Sequence, residues 1–290
     1  MSASIDCVCG RSGCISILYM IADFHNDYLT EGKEKLSAIA AQAKFMVCAL
    51  YRGERCFGEI ESLLRRFQKE HAQNQFLGLE DAGYAARVGV EILAEYAPVY
   101  ASLTWNFENE LAGGCMEDVG LKPSGEAAVR AFARKGIAVD CAHLGKKAFA
   151  RVLDLTDAVV DSHTCAAALY DHPRNLQDWQ IREIVARGGL IGIAFVRSFL
   201  NNNAAAEDVF RHMDYCVQKF GCGHFCFGTD FYGTADLPQG LSHYEDADRL
   251  RMFFERAGYG ASAIEKLFVG NLRLFLYKNR HKNLHKYFDN

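Results

Sequence analysis

Ile21-Ala22-Asp23-Phe24-His25-Asn26-Asp27 carries an apolar pair into a His-x-Asp tip, and Tyr28-Leu29-Thr30 then leads away. Side chains two apart on an extended strand share a face. His25 and Asp27 are therefore expected to project together from a strand end, a nitrogen and an oxygen donor side by side. That pairing suits a divalent transition metal such as zinc. His-x-Asp is common by chance, and a lone histidine after a strand is usually a hydrogen-bonded loop residue. The motif gains weight because four later strands end in residues of the same chemistry.

Working outward, eight short β-rich runs alternate with helical stretches. The runs are 20–24, 43–50, 75–79, 99–104, 136–141, 158–161, 190–195 and 224–228. Helical periodicity occupies 59–73, 83–97, 124–135, 146–155, 176–186 and 206–220, with room for another helix in 28–42. Two more helices, near 244–257 and 261–278, follow the last strand, and Ser124 reads as a helix cap. Alternation of β and α implies a parallel sheet with right-handed crossovers. Eight repeats in about 250 residues is the size of a (β/α)8 TIM barrel. A doubly wound sheet is the competitor, but no Gly-x-Gly-x-x-Gly follows the first strand. The expected organisation is one α/β barrel domain over 20–290 with an N-terminal extension, 1–19. Met20 directly precedes the first strand and reads as a candidate native start.

The 290 residues are 50% hydrophobic with only four prolines, which excludes a disordered or low-complexity chain. A formal net charge of −4 argues against a nucleic-acid or anionic-membrane surface. No apolar run reaches about 18 residues, so no transmembrane helix is expected. Asp6 and the single basic Arg11 do not make a signal peptide. Several of the eleven cysteines, among them Cys48, Cys141, Cys165, Cys216 and Cys226, sit in apolar runs. They read as reduced, buried thiols of a cytoplasmic protein. Cys7, Cys9 and Cys14 lack a fourth partner at zinc-finger spacing.

Barrel active sites lie at the C-terminal ends of the strands. Those ends carry His25 and Asp27, Glu80-Asp81, Trp105-Asn106, His143, His163 and Asp230. Singly, each has an ordinary explanation as a loop histidine or a helix cap. One metal site accounts for five of them at once. Three His, one Asp and one Glu suit two borderline ions, since a carboxylate can bridge both and the pair can activate a hydroxide. His212, mid-helix, reads as structural, as do His71, His172, His224, His243, His281 and His285.

The pieces His25-Asn26-Asp27, Gly78-Leu79-Glu80-Asp81, Leu103-Thr104, Val139-Asp140-Cys141-Ala142-His143, Asp161-Ser162-His163-Thr164, His172-Pro173-Arg174-Asn175 and Gly228-Thr229-Asp230-Phe231 occur in that order. Together with Gly270-Asn271-Leu272-Arg273 they resemble the membrane (renal) dipeptidases and their bacterial relatives, within the amidohydrolase-type barrels. The resemblance runs from Asp23 to about Phe275. It implies that His25 and Asp27 hold one zinc, that His143 and His163 hold a second, and that Glu80 bridges them. It further implies that Arg174 binds the substrate's C-terminal carboxylate, a task for its planar fork. Asp230 would contact the free amino end and shuttle a proton.

One position departs from the pattern. The renal enzymes carry a histidine after strand four that stabilises the tetrahedral intermediate, and this chain has Trp105. Indole donates one hydrogen bond but carries no positive charge. Losing such a donor typically costs on the order of 10²–10³ in rate. Trp105 is read as narrowing the pocket, and Asn106 as a substitute donor.

The leading reading is a cytoplasmic, dinuclear zinc dipeptidase in which a metal-bridging hydroxide attacks the scissile carbonyl and Asp230 moves the proton. Its partner is a dipeptide, without nucleic acid or membrane, and the family suggests a homodimer. The alternatives are the same site acting on another small amide or a lactone, and a barrel that binds metal or serves as a scaffold without catalysis.

Overall fold

The computed structural model describes residues 20–283 apart from residue 118. Eight parallel strands close into a barrel in chain order. They are β1 (Asp23–Asn26), β2 (Met46–Tyr51), β3 (Gln75–Glu80), β4 (Tyr100–Ser102), β5 (Ala138–Asp140), β6 (Val159–Thr164), β7 (Ile191–Ile193) and β8 (Phe225–Phe227). β1 closes on β8 through the pair Asp23 and Phe227. The strands are buried on both faces, because helices cover the outside and side chains fill the inside. The (β/α)8 architecture expected from the alternation is the one observed.

The covering helices are amphipathic. In Phe57–Glu70 the buried residues are Ile60, Leu64 and Phe67, an apolar stripe at helical spacing. Some expected helices are broken. The 83–97 stretch divides into Ala85–Val88 and Val90–Ala94 because Gly89 adopts a φ of 85°. The 28–42 stretch forms a short helix, Tyr28–Glu31, and a 3₁₀ segment, Leu36–Gln42. Ser124 does not cap its helix. Pro123 occupies the first turn, so Lys122 takes the cap position, and the Ser124 hydroxyl donates instead to the Glu110 carbonyl at 2.5 Å.

β1 begins later than the apolar run that announces it. Ile21 and Ala22 are buried ahead of the strand, with the Ala22 amide donating to the Phe268 carbonyl at 2.6 Å. Asp23 is fully buried and fastens the seam. It accepts from the Thr229 amide and hydroxyl, both at 2.8 Å, and from the Tyr244 hydroxyl at 2.5 Å.

Two strands are irregular, and they carry candidate ligands. Between Asp23 and Asn26 of β1 lie three steps where β2 takes two, Met46 to Cys48. Between Asp161 and Thr164 of β6 lie three where β7 takes two, Ile191 to Ile193. One extra residue per strand re-aims the neighbouring side chains. In β6 it drives the Ser162 carbonyl towards the barrel interior. A Cβ on Gly192 would lie 2.0 Å from that oxygen, and one on Gly228 would lie 1.9 Å from it.

The eight described cysteines are free thiols, and Cys48, Cys141, Cys165, Cys216 and Cys226 are buried as expected. Among the described residues no helix is long and apolar enough to cross a membrane. The extension 1–19 with Cys7, Cys9 and Cys14, together with His285 and the side chain of His281, lies outside the described residues.

The glycine contacts yield a first prediction. Gly228→Ala drives a methyl group into backbone rather than into a yielding side chain. It should cost about 1–3 kcal/mol, read as a lowered denaturation midpoint. An unchanged midpoint would contradict the packing described.

Candidate metal centre

Five donors converge at the C-terminal mouth of the barrel. His25 Nε2 lies 3.4 Å from Asp27 Oδ2, 3.6 Å from Glu80 Oε2 and 3.8 Å from Asp230 Oδ1. His143 Nε2 lies 2.9 Å from His163 Nε2 and 3.0 Å from Glu80 Oε1. Glu80, the last residue of β3, thus turns one oxygen to each group. His25, Asp27, Glu80, His143 and His163 are all buried. Asp27 and Asp230 share with His25 a set of donor atoms within 4.8 Å of one another, so Asp230 sits at ligand distance as well as at the cleft.

Each imidazole is oriented through its other nitrogen. His143 Nδ1 donates to the Asn106 side-chain oxygen at 2.7 Å. The Ser162 hydroxyl donates to Asp140 Oδ2 at 2.6 Å and so is left to accept from His163 Nδ1 at 2.8 Å. Asp140 is itself held by the amides of Ser162 and Ala142. His25 Nδ1 lies 2.9 Å from the Tyr100 hydroxyl. With Nδ1 carrying the proton, the Nε2 atoms of His143 and His163 present lone pairs to the centre, and His25 would do the same on giving up its Nε2 proton. Two such lone pairs 2.9 Å apart, beside a carboxylate, repel unless a cation lies among them. His25 Nε2 and Asp27 Oδ1 have no hydrogen-bond partner among the described residues. The donor set therefore fits divalent ions that take nitrogen and oxygen ligands.

The backbone is strained where it serves the site. Asp81, His143, Asp230 and Tyr232 have φ between 55° and 70°, a region non-glycine residues seldom enter. Gly233 fits tightly behind Asp27 and Asp230, where a Cβ would lie 2.2 Å and 2.6 Å from their carboxylate oxygens.

The electrostatics follow from burial. Burial, then the neighbouring Asp27 charge, pushes Asp230 up to about 7 and holds Glu80 well above its usual range. Burial disfavours charge on His25, but the carboxylates of Asp27, Glu80 and Asp230 outweigh it and raise its pKa to about 10. His143 and His163 are driven down by burial and by the nearby positive charges of Arg174 and His25, so they are neutral.

Beside the donors opens a cleft of about 560 Å³, lined by Asp27, Glu80, Trp105, Asn106, Arg174 and Asp230 among others. Arg174 is buried, lies over the Phe199 ring at 5.2 Å and donates Nη2 to the His163 carbonyl at 2.9 Å, while its Nε has no hydrogen-bond partner among the described residues. Sequence reasoning takes Asn106 as a donor to substrate. Its oxygen accepts from His143, and its side chain lines the cleft with the amide N–H group still available to donate. His212 is structural, accepting from the Ala166 amide.

Residues the sequence reading passed over include Tyr100, Asp140 and Ser162, which orient the histidines. Asp140 and Ser162 stood inside recognisable pieces, but nothing in the spacing links residues 22 apart across two strands. Asp161 is another. Both its oxygens are buried without a hydrogen-bond partner among the described residues, and it borders a side chamber of about 350 Å³ shared with His143 and Arg174.

A (β/α)8 barrel with imidazoles and carboxylates gathered at its strand ends is the framework of a metal-dependent hydrolase. The chain belongs to the membrane dipeptidase family (peptidase family M19), whose model matches residues 57–283. That span includes Glu80, His143, His163, Arg174 and Asp230, while His25 and Asp27 precede it. The chain is 29% identical over 210 residues to an uncharacterized protein in the pqqA 5′ region of Klebsiella pneumoniae, covering 67% of this chain and 77% of that one. It is 31% identical over 157 residues to dipeptidase tcpJ of Claviceps purpurea, covering 53% of this chain and 37% of that one. The chain thus spans well under half the length of the latter. Among solved structures, it matches a metallo peptidase from Rhodobacter sphaeroides liganded with a phosphinate mimic of the dipeptide L-Ala-D-Ala. There the TM-score is 0.75 at 20% identity, over 90% of this chain and 99% of that one.

Two predictions come from this geometry. Ser162→Ala should weaken metal affinity about 10- to 100-fold, measured by competition with a chromophoric chelator; unaltered affinity would contradict the orienting role. Metal entry at pH 7 should release at least about one proton per chain, because His25 must surrender the proton it holds to about 10 and Asp230 part of one. Calorimetric heats independent of buffer ionisation enthalpy would contradict it. By the same linkage the metal-free fold loses stability as pH rises, from 3.8 to about 7 through Asp230 and from 6.5 to about 10 through His25. His143 and His163, held neutral, act in the opposite sense below 6.5.

Proposed function

We propose that this chain is a dinuclear zinc dipeptidase. The observation that carries the reading is the convergence of three imidazole Nε2 atoms on the two oxygens of Glu80, with each Nδ1 held elsewhere. His25 and Asp27 would hold one ion and His143 and His163 the other, with Glu80 shared. Bound there, such ions lower the pKa of water and polarise a carbonyl.

The chain's own groups bind, orient and move protons. The buried Arg174 guanidinium, only partly committed to the His163 carbonyl, pairs with the C-terminal carboxylate of a dipeptide. Asp230 accepts a proton from the attacking water and returns it to the leaving amine. With Asp27 it also presents negative charge to the substrate's free amino group. Asn106 holds His143 through its oxygen and turns its amide N–H group to the substrate, and Trp105 walls the cleft. Family membership supports dipeptides as the substrate class. Trp105, standing where the renal enzymes have histidine, favours one second reading, a small amide or lactone on the same site.

Purified protein should carry about two zinc equivalents per chain, and both Glu80→Ala and His143→Ala should lower that content. Arg174→Lys should raise KM for dipeptides more than it lowers kcat. Asp230→Asn should lower kcat on the order of 10²–10⁴. Full activity after Asp230→Asn or Glu80→Gln would refute the mechanism. Turnover of N-acyl amino acids or lactones, with dipeptides untouched, would move the assignment to the second reading.

A further inference from the structure

The mouth of the cleft combines charged and apolar groups, with Val196, Phe199 and Tyr232 lining it beside Arg174 and Asp230. The groups suited to the charged ends of a dipeptide stand on one side, Arg174 after β6 and Asp230 after β8. Across from them stands an apolar wall. Tyr51 ends β2, and Trp105, Phe107 and Met116 lie in the loop after β4. The rings are in sequence, Tyr51 to Trp105 at 5.7 Å and Trp105 to Phe107 at 6.3 Å, with Trp105 6.0 Å from the His143 ring. Their exposure is unusual for such residues: 37% for Trp105, 52% for Phe107 and 56% for Met116. Large apolar side chains left open together beside polar groups mark a surface that a ligand covers.

The wall is held in place. The loop after β4 is anchored by Asn109 to Asp81 at 2.6 Å and by the two-pronged pair of Arg52 with Glu110 at 2.6 and 2.9 Å. A rigid apolar face opposite two charged anchors recognises the side chain of a substrate whose backbone ends are already fixed. A cleft of about 560 Å³ is far roomier than the smallest dipeptides need.

We propose that the Tyr51–Trp105–Phe107–Met116 wall is a subsite for a large apolar or aromatic side chain, so that the preferred substrates are dipeptides carrying one. This rests on the dipeptidase reading and narrows it. A histidine in place of Trp105 would supply charge to the reaction; the indole supplies contact area instead, and selectivity replaces part of the rate.

The test exploits the chain's having only two tryptophans. Trp179 packs edge-on against Phe149 and donates to Gln177, away from the cleft, so Trp179→Phe leaves Trp105 as the single indole. Metal-loaded Trp179→Phe protein is titrated with phosphinate analogues of Phe-Gly, Gly-Phe and Gly-Gly, following Trp105 emission. At least one Phe analogue should shift the emission and bind at least about ten-fold more tightly than the Gly-Gly analogue. Which of the two does so identifies the side chain the wall takes. In Trp105→His and Phe107→Ala, read by calorimetry, the preference should shrink to about three-fold or less. Equal affinity for all three analogues, no binding of any, or a preference surviving both substitutions overturns the proposal. A preference for Phe analogues without turnover of any dipeptide would leave the subsite standing and remove the dipeptidase reading.

Discussion

The constraint that governs this molecule is the desolvation of like chemistry at the barrel mouth. Three imidazoles and three carboxylates face one another where little water reaches, and bare lone pairs and negative charges repel at such range. A barrel tolerates this only if each group is held from behind. Hydrogen bonds to Asn106, Ser162 and Tyr100 hold the histidines, and the bulges in β1 and β6 aim the strand ends inward. Left-handed backbone at His143 and Asp230 turns the chain sharply enough to present them. A cation is the natural relief for the charge so gathered.

The supports are shared between elements far apart in the chain. Ser162 links Asp140 of β5 to His163 of β6, and Glu80 faces both histidine groups from β3. Arg174 hangs from the backbone of His163. A disturbance at the floor is therefore felt by the candidate ligands and by Arg174 together. Such coupling is the usual reason that residues behind a metal matter nearly as much as its ligands.

Much of this was legible in the sequence. The strand count was readable because parallel strands buried on both faces are short apolar runs, and the donors were readable because few residue types bind borderline metals. Other features leave no mark of their own. An extra residue in β1 or β6 looks like any other strand residue, and Tyr100 looks like ordinary core. Gly89 could have signalled the break in 83–97, but a single glycine inside a helical pattern is often tolerated. Asn106 was noticed for its donor capacity; the partner that claims its oxygen, His143, lies 37 residues away. Ile21 and Ala22 drew the first strand too early because packing under the closing segment needs apolar residues as much as a strand does.

The Asp23 seam has a consequence for how the molecule comes into being. Apart from the nearby His25 amide, its carboxylate is held by Thr229 and Tyr244, the latter 221 residues further on. During synthesis at about 5–20 residues per second, the strand bearing His25 leaves the ribosome about 10–40 s before its anchors exist. The first half of the ligand set to be made is thus the last to be seated. Until then the apolar strand and its acid wait without their long-range partners.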